Sequence, residues 1–314
     1  MQTILGAGGG IGGPLAEEIR KRSSILRLVS RNPKKVNAAD ELIAANLLNR
    51  DQVFDAVQGS EVVYLTVGLP YNLKIWEEQW PILMRNVLDA CAHHRAKLVF
   101  LDNVYMIGGD NVNWITEESP ISPVSKKGIV RAKLTRMILE AVEKGELEAI
   151  IARCADYYGP VPDNRSVVIE TVYKNLIKNK AAYWFCNPNV RHSITYVPDA
   201  ARAMALLGNT PDAYNQIWNL PTSPEAPTGR QWVEMFAAEL GKPAKIRILS
   251  KGMTRLLGLL APVLRESVEM LYQYDRDYVF DSTKFINRFS MHPTSLREGV
   301  HQTAEFFDKR TAEE

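Results

Sequence analysis

Cysteine is scarce in this chain: Cys91, Cys154 and Cys186 are widely spaced and odd in number among 314 residues. No CxxC pair or metal-ligand spacing accompanies them, so neither a disulfide framework nor a metal site is expected, and a reducing, cytoplasmic setting fits best. An excess of one charge is also missing. The 38 cations and 36 anions leave a net charge of +2, too weak a field for a nucleic-acid partner. Long apolar runs are absent as well. The longest, Leu256 to Leu264, spans nine residues, contains Gly258 and Pro262 and lies between Arg255 and Arg265, so it cannot cross a bilayer and no membrane partner is expected. Core packing is its expected use, with a substrate pocket or a partner surface as alternatives. No charged-then-apolar leader precedes Ile4-Leu5, which argues against a secretory signal.

Glycine, by contrast, is concentrated. Six of the eight residues from Gly6 to Gly13 are glycine, between the apolar run Gln2 to Leu5 and a helical pattern from Pro14 to Arg22. A strand, a glycine turn and a helix N-terminus together make a cradle for a dinucleotide pyrophosphate, whose charge calls for closely approaching backbone N–H groups. Two registers fit: Gly6, Gly9 and Gly12 as GxxGxxG, or Gly8, Gly10 and Gly13 as GxGxxG. The first is preferred because Gly6 stands at the strand end.

The second strand, Ile25 to Ser30, ends in Ser30-Arg31-Asn32-Pro33. An acid there would bond the ribose 2′-hydroxyl, whereas Ser30 and Arg31, with Lys34 and Lys35 nearby, suit a 2′-phosphate. NADP is therefore expected in preference to NAD, a solvated basic turn being the alternative. Further strands are read at Glu41 to Ala44, Val62 to Val67, Leu98 to Leu101 and Glu148 to Ala152, with helices at Ile75 to His94 and from Lys127. The alternation predicts an α/β fold, a doubly wound parallel sheet with a smaller C-terminal α/β portion. A dinucleotide-binding part over 1–160, rejoined by later segments, and a substrate-binding part over 161–314 are expected. In the second part a helix near Val167 to Asn179, strands at Ile194 to Val197, Gln216 to Asn219 and Lys245 to Leu249, and helices at Gly229 to Leu240 and Leu296 to Phe307 are read.

Several segments carry a resemblance over nearly the whole chain. They are the glycine run Gly6 to Gly12, Val63-Tyr64-Leu65-Thr66-Val67, Asn86 to Cys91, Asn103-Val104-Tyr105, Arg153 to Pro160 and His192 to Arg202. Together they resemble an extended short-chain dehydrogenase/reductase of the NAD-dependent epimerase/dehydratase family. The resemblance implies hydride transfer with a small polar, nucleotide-sugar-like substrate, and a homodimer. It implies cofactor contacts from Gly6, Gly8, Gly9, Gly10, Ile11, Gly12, Ser30, Arg31, Thr66, Val67, Gly68 and Leu101, and substrate contacts from Trp184, Phe185, Arg191 and His192.

The family's proton-transfer set is a Ser or Thr ending the fifth strand and a Tyr-x-x-x-Lys on the next helix. The Ser/Thr place falls here on Leu101, and Lys127 and Arg131 take the Tyr and Lys places. Lys127 is expected as general acid or base with Arg131 orienting the nicotinamide ribose, or both are solvated surface cations. Asp102, matching in type an acid of the dehydratase branch that protonates a leaving hydroxyl, and Tyr105 are further candidates; a loop-capping role is the alternative for Asp102. The three altered places also suit a catalytically inactive NADP(H) sensor.

Overall fold

The computed structural model describes residues 1–22, 25–161 and 166–313. The chain divides into two compact units, the first comprising Met1–Met106, Lys127–Cys154 and Ala200–Leu220 and the second Ile107–Lys126, Ala155–Asp199 and Pro221–Glu314. In chain order the first stretch runs β1 (Gln2–Leu5), α1 (Gly12–Arg20), β2 (Leu26–Ser30), β3 (Glu41–Ala44) and α2 (Arg50–Val57). It continues with β4 (Val62–Leu65), α3 (Leu73–His94), β5 (Lys97–Asp102), α4 (Lys126–Glu143) and β6 (Ala149–Arg153). Next come β7 (Asp156–Tyr158), the single turn α5 (Lys174–Leu176), β8 (Ala182–Phe185) and β9 (Ile194–Tyr196). Then α6 (Val197–Gly208) and β10 (Gln216–Asn219) carry the chain back to the first unit. The second unit is completed by α7 (Gly229–Glu239), β11 (Ile246–Leu249), α8 (Lys251–Leu257), α9 (Pro262–Ser267), α10 (Thr283–Phe289) and α11 (Leu296–Glu313).

The first unit is built on a seven-stranded sheet in the order β10-β6-β5-β4-β1-β2-β3, every neighbouring pair parallel. Strands β1 and β4 are buried at all four positions, as central strands covered on both faces must be. The edge strand β3 is largely exposed. Asn49 and Asn72 start α2 and α3 by accepting the backbone N–H of Gln52 and Ile75 at 3.1 Å each. Arg95, in the left-handed region at φ 56°, ends α3.

The boundary is not a single cut at residue 160. The apolar residues of α6 need a sheet face, and Ala201, Met204, Ala205 and Leu207 are fully buried. Gly208 allows the close approach, since a Cβ there would stand 2.2 Å from the Tyr64 hydroxyl. β10 then pairs with β6, Gln216 opposite Ile150, adding an edge strand to the sheet. In the other direction, 107–126 joins the second unit, where the Ile115 N–H donates to the Val279 carbonyl at 2.7 Å.

The second unit holds two parallel strand pairs, β7 with β9 and β8 with β11, around an aromatic core that includes Tyr158, Tyr173, Trp184, Trp232, Phe236 and Phe307. The helix expected near Val167 to Asn179 is present from 167 to 176, but its middle, Ile169–Tyr173, is π-helical and runs into α5, and a turn ends it at Asn179, φ 56°. Crowded β-branched residues, Val167, Val168, Ile169, Thr171 and Val172, give a weak helix its irregular turn. The run from Leu256 to Leu264 does not enter the core as expected: Leu256, Leu259, Leu260 and Val263 are all exposed.

Trp232 is fully buried and its indole N–H donates to the His192 carbonyl at 2.9 Å. Trp232→Ala therefore opens a cavity and strands a carbonyl, and urea denaturation should register a loss of about 3–5 kcal/mol.

Candidate active site

The order of the sheet reverses between β1 and β4, and both strands end at the same edge. In a doubly wound sheet, such a switch point is where loops diverge and leave a crevice. Gly6 follows β1 with φ +101°, and a Cβ there would lie 2.5 Å from the Val67 nitrogen. The turn is wound by Gly9 N–H donating to the Gly6 carbonyl and Gly12 N–H to the Gly9 carbonyl, each at 3.0 Å. A Cβ on Gly12 would stand 2.5 Å from the Ala7 carbonyl oxygen, whereas one on Gly13 would meet nothing within 4 Å. The steric demand thus falls on Gly6 and Gly12, while a Cβ on Gly9 would make only ordinary contact, 3.4 Å from the Gly6 carbonyl oxygen. Helix α1 opens at Gly12 with no side-chain cap and no acid in its first turn, so its positive end faces no competing carboxylate there.

Gly8, Gly10 and Ile11 fill the rest of that turn. Gly8 lies against Ser30, its absent Cβ 3.7 Å from Ser30 Oγ. That hydroxyl is buried without a hydrogen-bond partner among the described residues, while the neighbouring Arg31 is exposed. The acid in the following loop, Asp40, is turned inward and accepts the backbone N–H groups of Val36 and Asn37 at 3.0 and 2.6 Å. At the end of β4, Thr66 N–H donates to the Leu5 carbonyl at 2.9 Å, and Val67 and Gly68 follow. Leu101 is half-buried on β5.

Two cations of α4, Lys127 and Arg131, are not solvated. Lys127 is 1% exposed, and its Nζ stands 4.6 Å from the centre of the Tyr71 ring. Tyr71 meets Trp76 edge-on at 5.8 Å, and Tyr105 stacks on the same indole at 6.1 Å. Four residues on, Arg131 is also buried. Its Nε donates to Asp102 Oδ1 at 2.7 Å, Nη2 reaches the same oxygen, and the guanidinium lies 4.8 Å from the Trp80 ring centre and 4.9 Å from that of Phe100. Thr135 Oγ1 donates to Asp102 Oδ2 at 3.2 Å, and Asn103 N–H to Oδ1 at 2.9 Å.

The expectation that both are solvated surface cations is corrected, since Lys127 and Arg131 are buried. Arg131 turns to Asp102 at the end of β5, because a buried guanidinium must be paired. Both oxygens of Asp102 are engaged, so this carboxylate ties α4 to β5. Tyr71 escaped the sequence reading. Its only local signal is the Gly68-Leu69-Pro70-Tyr71 turn after β4, and nothing there announces a cation above its ring.

The expected substrate residues separate. Trp184 and Phe185 on β8 pack in the second unit's core, where Gly229 admits the Trp184 indole so closely that a Cβ would lie 2.2 Å away. His192 is buried between Tyr274 and Tyr278, ring centres 4.3 and 4.6 Å away. These three are packed among aromatic side chains of the second unit. Only Arg191 is exposed, and its Nε donates to Asp277 at 2.9 Å. Asp156 accepts from Tyr274 Oη at 2.7 Å and lies 3.1 Å from His192 Nε2. Burial alone would raise its pKa, but the hydrogen bond and charge of His192 and the bond from Tyr274 hold it below the ordinary carboxylate value. Among the described residues, no group of three or more His, Cys, Asp or Glu could hold a metal ion.

A family model described as the NAD dependent epimerase/dehydratase family matches residues 3–220. No curated protein matches the chain. Solved structures show the same fold at low identity. UDP-glucose 4-epimerase from Thermus thermophilus, in complex with NAD, is 17% identical with a TM-score of 0.79, covering 98% of this chain and 99% of its own. UDP-glucuronic acid 4-epimerase from Bacillus cereus, also with NAD, is 17% identical with a TM-score of 0.80, covering 100% and 99%. A dTDP-glucose 4,6-dehydratase from Streptomyces venezuelae, with NAD, is 14% identical with a TM-score of 0.80, covering 99% and 98%.

Gly12→Ala should lower the melting temperature markedly, whereas Gly13→Ala, in open space, should leave it unchanged or raise it slightly; differential scanning fluorimetry separates them. Arg131→Met strands the Asp102 carboxylate and should cost about 3–5 kcal/mol in urea denaturation. The Asp156 contribution is fully present above the ordinary carboxylate pKa and is lost as pH falls through the lowered one. Stability measured between about pH 4 and pH 2 should therefore fall less steeply in Asp156→Asn than in the wild type.

Proposed function

The chain belongs to the NAD dependent epimerase/dehydratase family, and on that premise we propose a hydride-transfer enzyme that takes NADP(H) in preference to NAD(H) and acts on a small polar, nucleotide-sugar-like substrate. The observation that carries this reading is the turn at the β1/β4 switch point, where Gly6 and Gly12 leave no room for a Cβ. The residues present fit a dinucleotide. Gly6, Gly8, Gly9, Gly10, Ile11 and Gly12 would hold the pyrophosphate against backbone N–H groups and the α1 N-terminus. Ser30, with its unpartnered buried hydroxyl, and the exposed Arg31 would hold a ribose 2′-phosphate, and no acid stands at the end of β2 to repel it. Thr66, Val67, Gly68 and Leu101 would line the nicotinamide half. When bound, the nicotinamide supplies a hydride donor or acceptor.

Lys127 is the group assigned to proton handling. It occupies the family's tyrosine place, and with Leu101 in the Ser/Thr place no hydroxyl is offered from β5. Tyr71 lies against the Lys127 ammonium, with Trp76 and Tyr105 in turn packed on that ring, and burial keeps water from Nζ, where a proton is held or moved. Arg131 and Asp102 are positioning residues: their pair fixes the first turns of α4 against the end of β5 and so sets where Lys127 stands. The family, together with relatives that are UDP-glucose, UDP-glucuronic acid and dTDP-glucose enzymes, supports a nucleotide-sugar-like substrate. A homodimer is the expected assembly.

Fluorescence titration should show tighter binding of NADPH than of NADH, and Arg31→Ala should weaken NADPH about tenfold or more while sparing NADH. Equal affinity for both cofactors in the wild type overturns the preference. Lys127→Met should lower turnover at least about a hundredfold with cofactor affinity kept. Turnover is read as loss of label from stereospecifically deuterated NADPH offered with UDP- and dTDP-hexoses. Unchanged turnover removes Lys127 from the chemistry, and tight cofactor binding without label loss in the wild type makes the protein a sensor.

A further inference from the structure

Residues 242–265 contain Lys242, Lys245, Arg247, Lys251, Arg255 and Arg265 and not one acid. This stretch is therefore +6 in a chain whose net charge is only +2, leaving −4 for the remainder. Acids resume at Glu266 and Glu269, the latter accepting the Lys126 backbone N–H at 2.7 Å, and Lys251 is paired with Asp275. Within the same stretch aliphatic side chains stand clear of the surface. Leu256 is 66% exposed, Leu259 77%, Leu260 88% and Val263 59%, and Met253 is exposed beside them.

The segment that presents them is firmly built. Ser250 Oγ caps α8 by accepting the Met253 N–H at 3.2 Å, and Pro262 begins α9. Gly258 lets the two short helices close on each other, since a Cβ there would lie 2.9 Å from Arg265 Cα. The turn's own backbone donors are satisfied internally. The N–H groups of Gly258, Leu259, Leu260 and Ala261 donate to the carbonyls of Thr254, Leu256, Leu257 and Leu257 at 2.9 to 3.2 Å. A turn with these donors already paired can enter an apolar medium without leaving them unsatisfied.

We propose that the α8–α9 turn is a peripheral docking surface for an anionic lipid bilayer, with Leu256, Leu259, Leu260 and Val263 entering the headgroup boundary and Arg247, Arg255 and Arg265 meeting lipid phosphates. Charge complementarity carries the choice of occupant: an acid-free, cationic stretch around an aliphatic tip is how a protein lies on an anionic interface. The stretch holds no Phe, Tyr or Trp, the anchors in which protein–protein contacts are enriched. The expectation of no membrane partner rested on the lack of a spanning run, and no helix among the described residues is long and apolar enough to cross a membrane. A turn that lies on the surface is not subject to that length requirement.

The test is flotation of the full chain with vesicles of phosphatidylcholine alone or with about 30% phosphatidylglycerol, at low and high salt. Binding is expected on the anionic vesicles and should weaken as salt rises. The double variant Leu259→Glu/Leu260→Glu should lose at least about tenfold in affinity, and Arg255→Glu/Arg265→Glu should lose its binding on anionic vesicles with its melting temperature unchanged. No binding to anionic vesicles, or equal binding by the leucine variant, overturns the proposal. So does a concentration-dependent dimer in sedimentation that the leucine variant abolishes while vesicles are ignored, which would assign the face to a second copy.

Discussion

The first unit depends on one close approach, that of the β1–α1 turn to the end of β4. At Gly6 the chain takes a left-handed conformation directly against Val67, and at Gly12 it passes against the Ala7 carbonyl. Any side chain at either point would push the turn away from the sheet. Because β1 and β4 are neighbours in the centre of the sheet, that displacement would propagate to the strand ends on both sides. The absence of two Cβ atoms keeps the backbone N–H groups of the turn and the α1 N-terminus together at the switch point. Ser30 joins this arrangement from β2, its hydroxyl beside Gly8 and without a hydrogen-bond partner among the described residues.

Charge is handled by burial rather than by solvent at the end of β5. Arg131 and Asp102 form a pair supported by Thr135 and flanked by Trp80 and Phe100, which satisfies both ions where water does not reach. Such a pair adds little net stability relative to an apolar replacement, yet losing one partner is expensive. Its consequence is geometric: it locks the start of α4, and with it Lys127 beneath the Tyr71 ring. Of these two cations four residues apart, the amine faces an aromatic ring and the guanidinium holds a strand end.

The second unit separates its apolar residues in an unexpected way. Its aromatics, Trp184, Phe185, Trp232 and Phe236 among them, are withdrawn into a core, and His192 is stacked between two tyrosines. Aliphatic Leu259 and Leu260 are left outside, in a stretch of chain whose only charged residues are cations. Tight aromatic packing makes that core, while the exposed leucines sit on a short helical pair closed by Gly258.

The parallel sheet was legible in the sequence because buried central strands read as unbroken apolar runs, and Val62–Leu65 and Gln2–Leu5 stand where those runs place them. The glycine turn was equally legible, since few other uses explain six glycines between a strand and a helix. Spacing alone could not choose the register, because both glycine triplets satisfy it, and the place of Gly6 at the strand end is what favoured the first; the distances to Val67 and Ala7 separate the crowded Gly6 and Gly12 from Gly13. Nor could it reveal that Arg131 meets Asp102, twenty-nine residues away, or that Tyr71 covers Lys127, because such pairings are made by strands and helices brought side by side. The same reason misdirected Leu256 to Leu264 toward the core. Apolar character is local and is read directly from the chain, but which side of an element meets the core is decided by what packs against it.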